Sequence, residues 1–312
     1  MKLQLSKATK RKIIQPADRD EDFQAELPAN ESVVRIMTYN IHSCVNQDRK
    51  VRPGRIADII GELDADVIAL QEVDSEKCPN GNSNQAKIIA RELDMDYVFF
   101  PIEEKCLHAF GLAILTRCPF EEIHRDWLPN FNSRLRLRKR GAIRAIIRTP
   151  AGPIHFFNTH LSLFKIERRK QLEVLLGEQW LASVPEDEPI VFCGDLNAGA
   201  ASSVYRKLSR KLNDVQRELD HLFLPKRTFH SRTPLFRIDH IFVSEHFRAL
   251  NVEVPRTPET LMASDHLPLF AELGIRNGKP KGQSLPNLHE LNRDIPQRSF
   301  PIVQFNGEPP PT

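Results

Sequence analysis

Six apolar runs in this chain each deliver, at or near one end, a side chain able to move a proton or hold a cation. Asn40 follows Val-Val-Arg-Ile-Met-Thr-Tyr, Glu72 follows Asp-Val-Ile-Ala-Leu-Gln, and His160 follows Ile-His-Phe-Phe-Asn-Thr. Asp195 and Asn197 follow Ile-Val-Phe-Cys-Gly, Asp239 stands within Arg-Ile-Asp-His-Ile-Phe-Val, and Asp265-His266 precede Leu-Pro-Leu-Phe. Short apolar runs bounded by turn residues read as buried strands, and strand ends hold polar groups without breaking a core. Carboxylates, amides and imidazoles without cysteine suit an oxygen-seeking cation such as Mg²⁺ or Mn²⁺ better than zinc. Each residue alone has a plainer reading. Asn40 is an ordinary cap, Glu72 and Asp74 are solvated strand-end acids, His160 is a structural histidine, and Asp239 pairs with Arg237.

The stretch Pro189–Ala198 concentrates this pattern. Gly194 admits close backbone approach, and Asp195 and Asn197, two apart, project from one face if the strand stays extended. Around it the sequence predicts strands over 33–39, 66–70, 97–100 and 112–115, a hairpin joining 142–148 to 154–158, and strands over 237–243 and 267–273. Helices are predicted from Pro53, over 83–93, over 166–182 with Leu172, Leu175, Leu176 and Trp180 on one face, and over 203–212. Strands outnumber helices, and helices fall between strand groups. This favours an α+β or α/β sandwich.

With 312 residues and 40% hydrophobic content the chain can bury a large core. A net charge of +3 on 44 basic and 41 acidic residues carries no global nucleic-acid signature, so any basic patch is local. The five cysteines (Cys44, Cys78, Cys106, Cys118, Cys193) have no C-x-x-C or zinc spacing, which implies a reduced interior compartment. No apolar run reaches the ~18 residues of a membrane span, and the N-terminus has no signal-peptide core. The expectation is a soluble, cytoplasmic protein. Residues 1–31 read as a flexible arm, basic then acidic, and 276–312 as a Pro-rich disordered tail, leaving 32–275 as the one domain.

Taken in order, Thr38-Tyr39-Asn40, Leu70-Gln71-Glu72-Val73-Asp74, Asn158-Thr159-His160-Leu161, Gly194-Asp195-Leu196-Asn197, Arg237–Ser244 and Ser264-Asp265-His266-Leu267-Pro268 resemble the endonuclease/exonuclease/phosphatase superfamily, small bacterial members of undefined substrate in particular. The resemblance covers roughly residues 33–274. It implies a four-layered, DNase I-like sandwich of two facing mixed β-sheets covered by helices, and Mg²⁺- or Mn²⁺-assisted hydrolysis of a phosphate ester by in-line attack of water. It makes Glu72 the main metal ligand, Asn40 its neighbour and Asp265 a contact to the metal or to a second metal site. His266 becomes the general base or phosphate-activating imidazole, oriented by Asp239. Asp195 activates the water or protonates the leaving oxygen, and Asn197 and His160 donate to phosphoryl oxygens.

The sequence departs from the pattern in two places. The mid-chain tyrosine of some abasic-site nucleases has no counterpart, since Tyr39, Tyr97 and Tyr205 stand in other contexts. Asp239 lies in Arg-Ile-Asp-His-Ile-Phe where inositol 5-phosphatases carry a different motif, which speaks against an inositol-polyphosphate-specific enzyme. The run from Arg134 through Arg136, Arg138 and Lys139 to Arg140 reads either as a solvated loop or as an anion-binding edge for phosphate or acidic lipid, with Arg140 the leading phosphate-binding candidate. Few aromatics interleave with it, so no base-stacking platform is evident, and no exposed apolar hairpin is evident for membrane engagement. The expected substrate is a phosphodiester of nucleic acid or of a phospholipid head group, with no obligate protein partner. The alternatives are a phosphomonoesterase on a sugar, nucleotide or inositol phosphate, and a binding module that retains the fold.

Overall fold

The computed structural model describes residues 32–78, 81–105, 108–131, 138–150, 152–219 and 225–275. The expected arm and tail, and Cys106, Arg134 and Arg136, lie outside the described residues. In chain order the elements are β1 (Ser32–Asn40), α1 (Pro53–Leu63), β2 (Val67–Cys78), β3 (Gly81–Asn84), α2 (Gln85–Leu93), β4 (Asp96–Lys105), β5 (His108–Thr116) and β6 (Phe120–Leu128). They continue with β7 (Arg140–Thr149), β8 (Gly152–His160), α3 (Lys165–Leu175), β9 (Ile190–Asp195), α4 (Ser203–Leu208), β10 (Asn213–Asp214) and α5 (Val215–Glu218). The last are β11 (Asp239–Val243), β12 (Phe247–Glu253), α6 (Pro258–Ala263) and β13 (Leu269–Ile275).

The strands form two mixed sheets. One runs β12-β13-β1-β2-β5-β4, with β3 paired to β2, and the other runs β10-β11-β9-β8-β7-β6. Each has one parallel pair at its centre, β1 with β2 and β8 with β9. Alternation along the strands splits the apolar side chains into three cores. Val34, Ile36, Ala69 and Ile114 of the first sheet meet Ile143, Phe156, Cys193 and Ile241 of the second between the sheets. The other face of the first sheet packs Met37, Tyr39 and Ile68 against Ile56 and Ile60 of α1 and Ile89 of α2. The outer face of the second packs Phe157, Phe192 and Phe242 against Leu172 of α3 and Tyr205 of α4. Helix, sheet, sheet and helix give the four layers expected.

Pro53 opens α1, as its spacing indicated, and the 142–158 hairpin forms, closing at Thr149 opposite Gly152. Other boundaries differ. The 166–182 helix ends at Leu175, with Gly177 directly beyond its cap; Leu172, Leu175 and Trp180 are nonetheless all buried. The helix expected over 203–212 stops at Leu208. β2 runs past Gln71-Glu72 to Cys78, so Glu72 is not a strand end. β6 was not legible, because as an edge strand it exposes Glu121, Glu122 and Ile123 on both faces. No helix among the described residues is long and apolar enough to cross a membrane.

Candidate active site

The two parallel pairs decide where the polar strand ends meet. Asn40 is in register with Gln71 in one sheet, and His160 with Asp195 in the other, while antiparallel β11 sets Asp239 opposite Asp195. Since the sheets stack face to face, both sets of ends converge on one rim.

The backbone is bent at the same points. Glu72 has φ +56° and sits where the β2–β5 register shifts between Leu70 and Val73. A bulge of this kind re-aims a side chain out of the alternating pattern. Asn197 has φ +48°, so the strand is already over and Asp195 and Asn197 do not share an extended face. They are joined instead by a turn, with the Asn197 N–H donating to Asp195 Oδ1 at 2.8 Å. Gly194 is obligatory: at φ +143° a Cβ would fall 1.9 Å from the Thr159 carbonyl oxygen. A non-glycine residue held at positive φ costs about 1–3 kcal/mol and is kept where the surroundings enforce it.

Asp239 is the anchor of one half. Its Oδ2 accepts from Thr228 Oγ1 at 2.5 Å and from His266 Nδ1 at 2.8 Å. His266 Nε2 then lies 3.7 Å from Asp195 Oδ2. The Asn40 amide donates to Asp195 Oδ2 at 3.1 Å and to Glu72 Oε1 at 3.2 Å, while its carbonyl oxygen accepts from the His42 N–H. Asn40 thus ties two carboxylates together through its nitrogen. In the other half, the Arg140 guanidinium donates to His160 Nδ1 at 3.0 Å. Arginine is donor-only, so the proton of neutral His160 sits on Nε2, 3.3 Å from Asp195 Oδ2. Asn197 Nδ2 lies 3.0 Å from that Nε2 and donates to the Leu161 carbonyl. All nine sequence-derived candidates stand within this neighbourhood. Asp265 is the most peripheral, 3.8 Å from the half-exposed His42 imidazole.

Burial and charge act on these groups in opposite directions. Burial disfavours the His266 cation, but Asp239, Asp195 and Asp265 outweigh it and carry its pKa up to about 10. Burial and the neighbouring Asp239 push Asp195 up to about 7 against the pull of His266, Asn197 and Asn40. His160 is driven well below the ordinary histidine value by burial, then by Arg140 and His266. The site therefore holds one imidazole charged, one neutral, and one carboxyl poised near neutrality.

Sequence reasoning passed over several supports. Thr228 supplies the second donor to Asp239; nothing local distinguishes it from any loop threonine. Ser264 Oγ donates to the Asn40 main-chain carbonyl and accepts from the His266 N–H, locking together the end of β1 and the residue that leads into β13 within one sheet. Gln85 of α2 donates to the Ser43 carbonyl and accepts from the Asp74 N–H, bracing the loop after Asn40 against the strand carrying Glu72. Arg138 stacks its guanidinium 4.1 Å over the Phe110 ring. Arg237 does not pair with Asp239 but with Asp214.

The donor set fits a hard divalent cation. Oxygens of Asp195 and Asp239 and a nitrogen of His266 lie within 4.8 Å of one another, all buried. Asp239 Oδ1 is a buried acceptor without a partner, and Glu72 and Asp265 are half-buried acids beside it in the network. Among the described residues no thiol joins this group.

Two stacked mixed sheets thus present carboxylates, imidazoles and amides together at one rim. The chain belongs to the endonuclease/exonuclease/phosphatase family, whose model matches residues 37–266. An uncharacterized protein of Escherichia coli K12, YbhP, is 28% identical over 259 residues, spanning 77% of this chain and 96% of its own length. The fold matches an endonuclease/exonuclease/phosphatase from Beutenbergia cavernae with a TM-score of 0.66 at 22% identity, over 80% of this chain and 73% of that one. It also matches the mannosyl-6-phosphatase Bt3783 of Bacteroides thetaiotaomicron, with a TM-score of 0.63 at 20% identity over 77% and 99%.

Proposed function

We propose that this chain is a Mg²⁺- or Mn²⁺-dependent phosphodiesterase that cleaves by in-line attack of water. The observation that carries the reading is the convergence of the Asp239–His266 pair, the Asn40–Glu72 pair and the Arg140–His160–Asn197 trio on Asp195. Glu72 is the proposed principal metal ligand, with Asn40 beside it and Asp265 completing the acidic side. The cation, when bound, offsets phosphate charge and acidifies a water.

The chain's own residues divide the remaining work. His266, held cationic by Asp239, donates from Nε2 to a phosphoryl oxygen as charge develops there. This supports the phosphate-activating role over the general-base role for His266. Asp195, raised to about 7, is the group that can exchange a proton with water or with the leaving oxygen at neutral pH. Asn197 and the Nε2–H of His160 donate toward the remaining oxygens, and Arg140 fixes the His160 tautomer while adding positive charge at the phosphate. A reducing, cytoplasmic setting is proposed from Cys44, Cys118 and Cys193, which are all free thiols.

The test is hydrolysis of bis-p-nitrophenyl phosphate and p-nitrophenyl phosphate with Mg²⁺, Mn²⁺ or EDTA, beside Glu72→Ala. The expected result is metal-dependent cleavage of the diester that Glu72→Ala lowers by about 10³-fold. Cleavage of the monoester alone would replace the diester reading with a phosphomonoesterase. Inertness toward both, across all metals, would leave a binding module.

A further inference from the structure

Immediately beyond His160 the chain turns outward and exposes what a strand–helix junction normally buries. Leu163 is 68% exposed, Phe164 46% and Ile166 73%, within four residues. The turn holding them is rigidly bonded. Ser162 Oγ donates to Glu167 Oε2 at 2.7 Å, the Ser162 N–H donates to Gln171 Oε1 at 2.8 Å, and Arg168 donates to the carbonyls of Ser162 and Leu163. The Phe131 N–H donates to the same Glu167 and brings a fourth exposed apolar side chain, 58% open, beside them. A second exposed pair, Leu235 at 64% and Phe236 at 59%, projects from the turn whose Phe229 packs its ring 4.8 Å from His266. Apolar rims therefore border the mouth on both the His160 and the His266 sides.

Contiguous exposed apolar groups on a soluble fold mark a surface that something covers. The charges beside this one select the occupant. Lys165 and Arg169 are exposed in the same stretch and have no carboxylate partner among the described residues. Alternation of large apolar side chains with long cationic ones lets the apolar groups enter an acyl boundary while the ammonium and guanidinium heads stay at anionic head groups. A nucleic acid would satisfy the cations and leave Leu163 and Ile166 in water.

We propose that the Leu163–Ile166 turn and the start of α3 form a membrane-contact face that seats the catalytic mouth on an anionic phospholipid surface. The apolar groups of this face stand on a turn rather than on a hairpin, where no alternating pattern announces them. The consequence, that lipid head-group phosphodiesters are the substrate class, rests on the proposed function; the binding itself does not.

The test is sedimentation of the full chain with vesicles of phosphatidylglycerol and phosphatidylcholine, against phosphatidylcholine alone, beside the double variant Leu163→Glu, Ile166→Glu. The expected result is binding to the anionic vesicles that weakens with salt and falls about 100-fold in the double variant, since each such side chain buried contributes about tenfold to partitioning. Bis-p-nitrophenyl phosphate hydrolysis by the double variant stays at the wild-type level. Absence of binding, equal binding to neutral vesicles, or unchanged binding by the variant would each overturn the proposal. So would a wild-type dimer in gel filtration that the variant dissolves without any vesicle affinity, which would make the face a self-association surface. Vesicle binding without turnover of any diester would strike the proposed function and leave this inference standing; soluble-diester turnover without vesicle binding would do the reverse.

Discussion

Asp239 and His240 are neighbours on β11, and the pleat sends them to opposite faces of the same sheet. Each joins a buried Asp-His grouping, and the two behave in opposite ways. On the inner face, Asp239 meets His266 with no arginine bonded to it among the described residues, and the imidazole is carried up to about 10. On the outer face, Asp214 is already held by Arg237 and by the Tyr205 hydroxyl at 2.5 Å, and His240 lies 4.0 Å away. Burial, then Arg237, push His240 down to about 4, against the pull of Asp214. A buried carboxylate sustains only as much neighbouring positive charge as it can offset. Where arginine has taken that place the imidazole stays neutral, and it serves as a plain donor, here to the Ala198 carbonyl behind the Asn197 turn. The first grouping keeps its imidazole charged, while the second uses all of its charge internally.

The largest expected effect separates the two by function. His266→Ala should lower kcat on the diester by about 10³-fold, or ~4 kcal/mol of barrier. Steady-state kinetics read this directly, and a kcat within a few-fold of wild type would remove His266 from the chemistry. Arg237→Ala should instead act on stability, lowering the unfolding free energy by about 3–5 kcal/mol because it leaves Asp214 buried without its cation. In the same variant the His240 imidazole resonances should titrate closer to an ordinary histidine. A kcat per folded molecule as low as that of His266→Ala would erase the distinction between the two groupings.

The smallest effect is a pH limb. His240 resists protonation when folded and accepts it near 6.5 when unfolded, so its contribution is complete above 6.5 and is lost as pH falls toward 4. Asp195 carries the opposite slope over much of that interval, because its folded pKa is raised. The limb is therefore read as a difference: wild type should lose on the order of 3 kcal/mol relative to His240→Gln between pH 6.5 and 4 in denaturant titrations. Parallel curves would mean that His240 is not held neutral.

Much of this was legible before any geometry. The apolar runs that became β1, β8, β9 and β11, the helix opened by Pro53 and the hairpin at Thr149–Gly152 are local patterns, and local patterns survive translation into structure. Polar residues at the ends of those runs were visible for the same reason. Glu72 was legible as a residue but not as a conformation, since a bulge depends on the register of the partner strand. Ile166 opens the helix expected over 166–182 and Leu163 and Phe164 fall just before it, and a 3.6-residue period cannot say which apolar side chains a neighbouring layer will cover.

The chain's own sequence determined most of the strands, their order of polar termini and an inventory of oxygen- and imidazole-bearing side chains. It could do so because those features depend on residues near one another in the chain. Only the tertiary structure decided that Asn40 donates to both Glu72 and Asp195, that Arg237 belongs to Asp214 rather than Asp239, and that His266 is charged while His160 and His240 are not. Those outcomes turn on pairings between residues dozens to hundreds of positions apart and on the water each pairing excludes. Hydrogen bonding and charge in a buried site follow distance and desolvation, and the packing of the two sheets sets both.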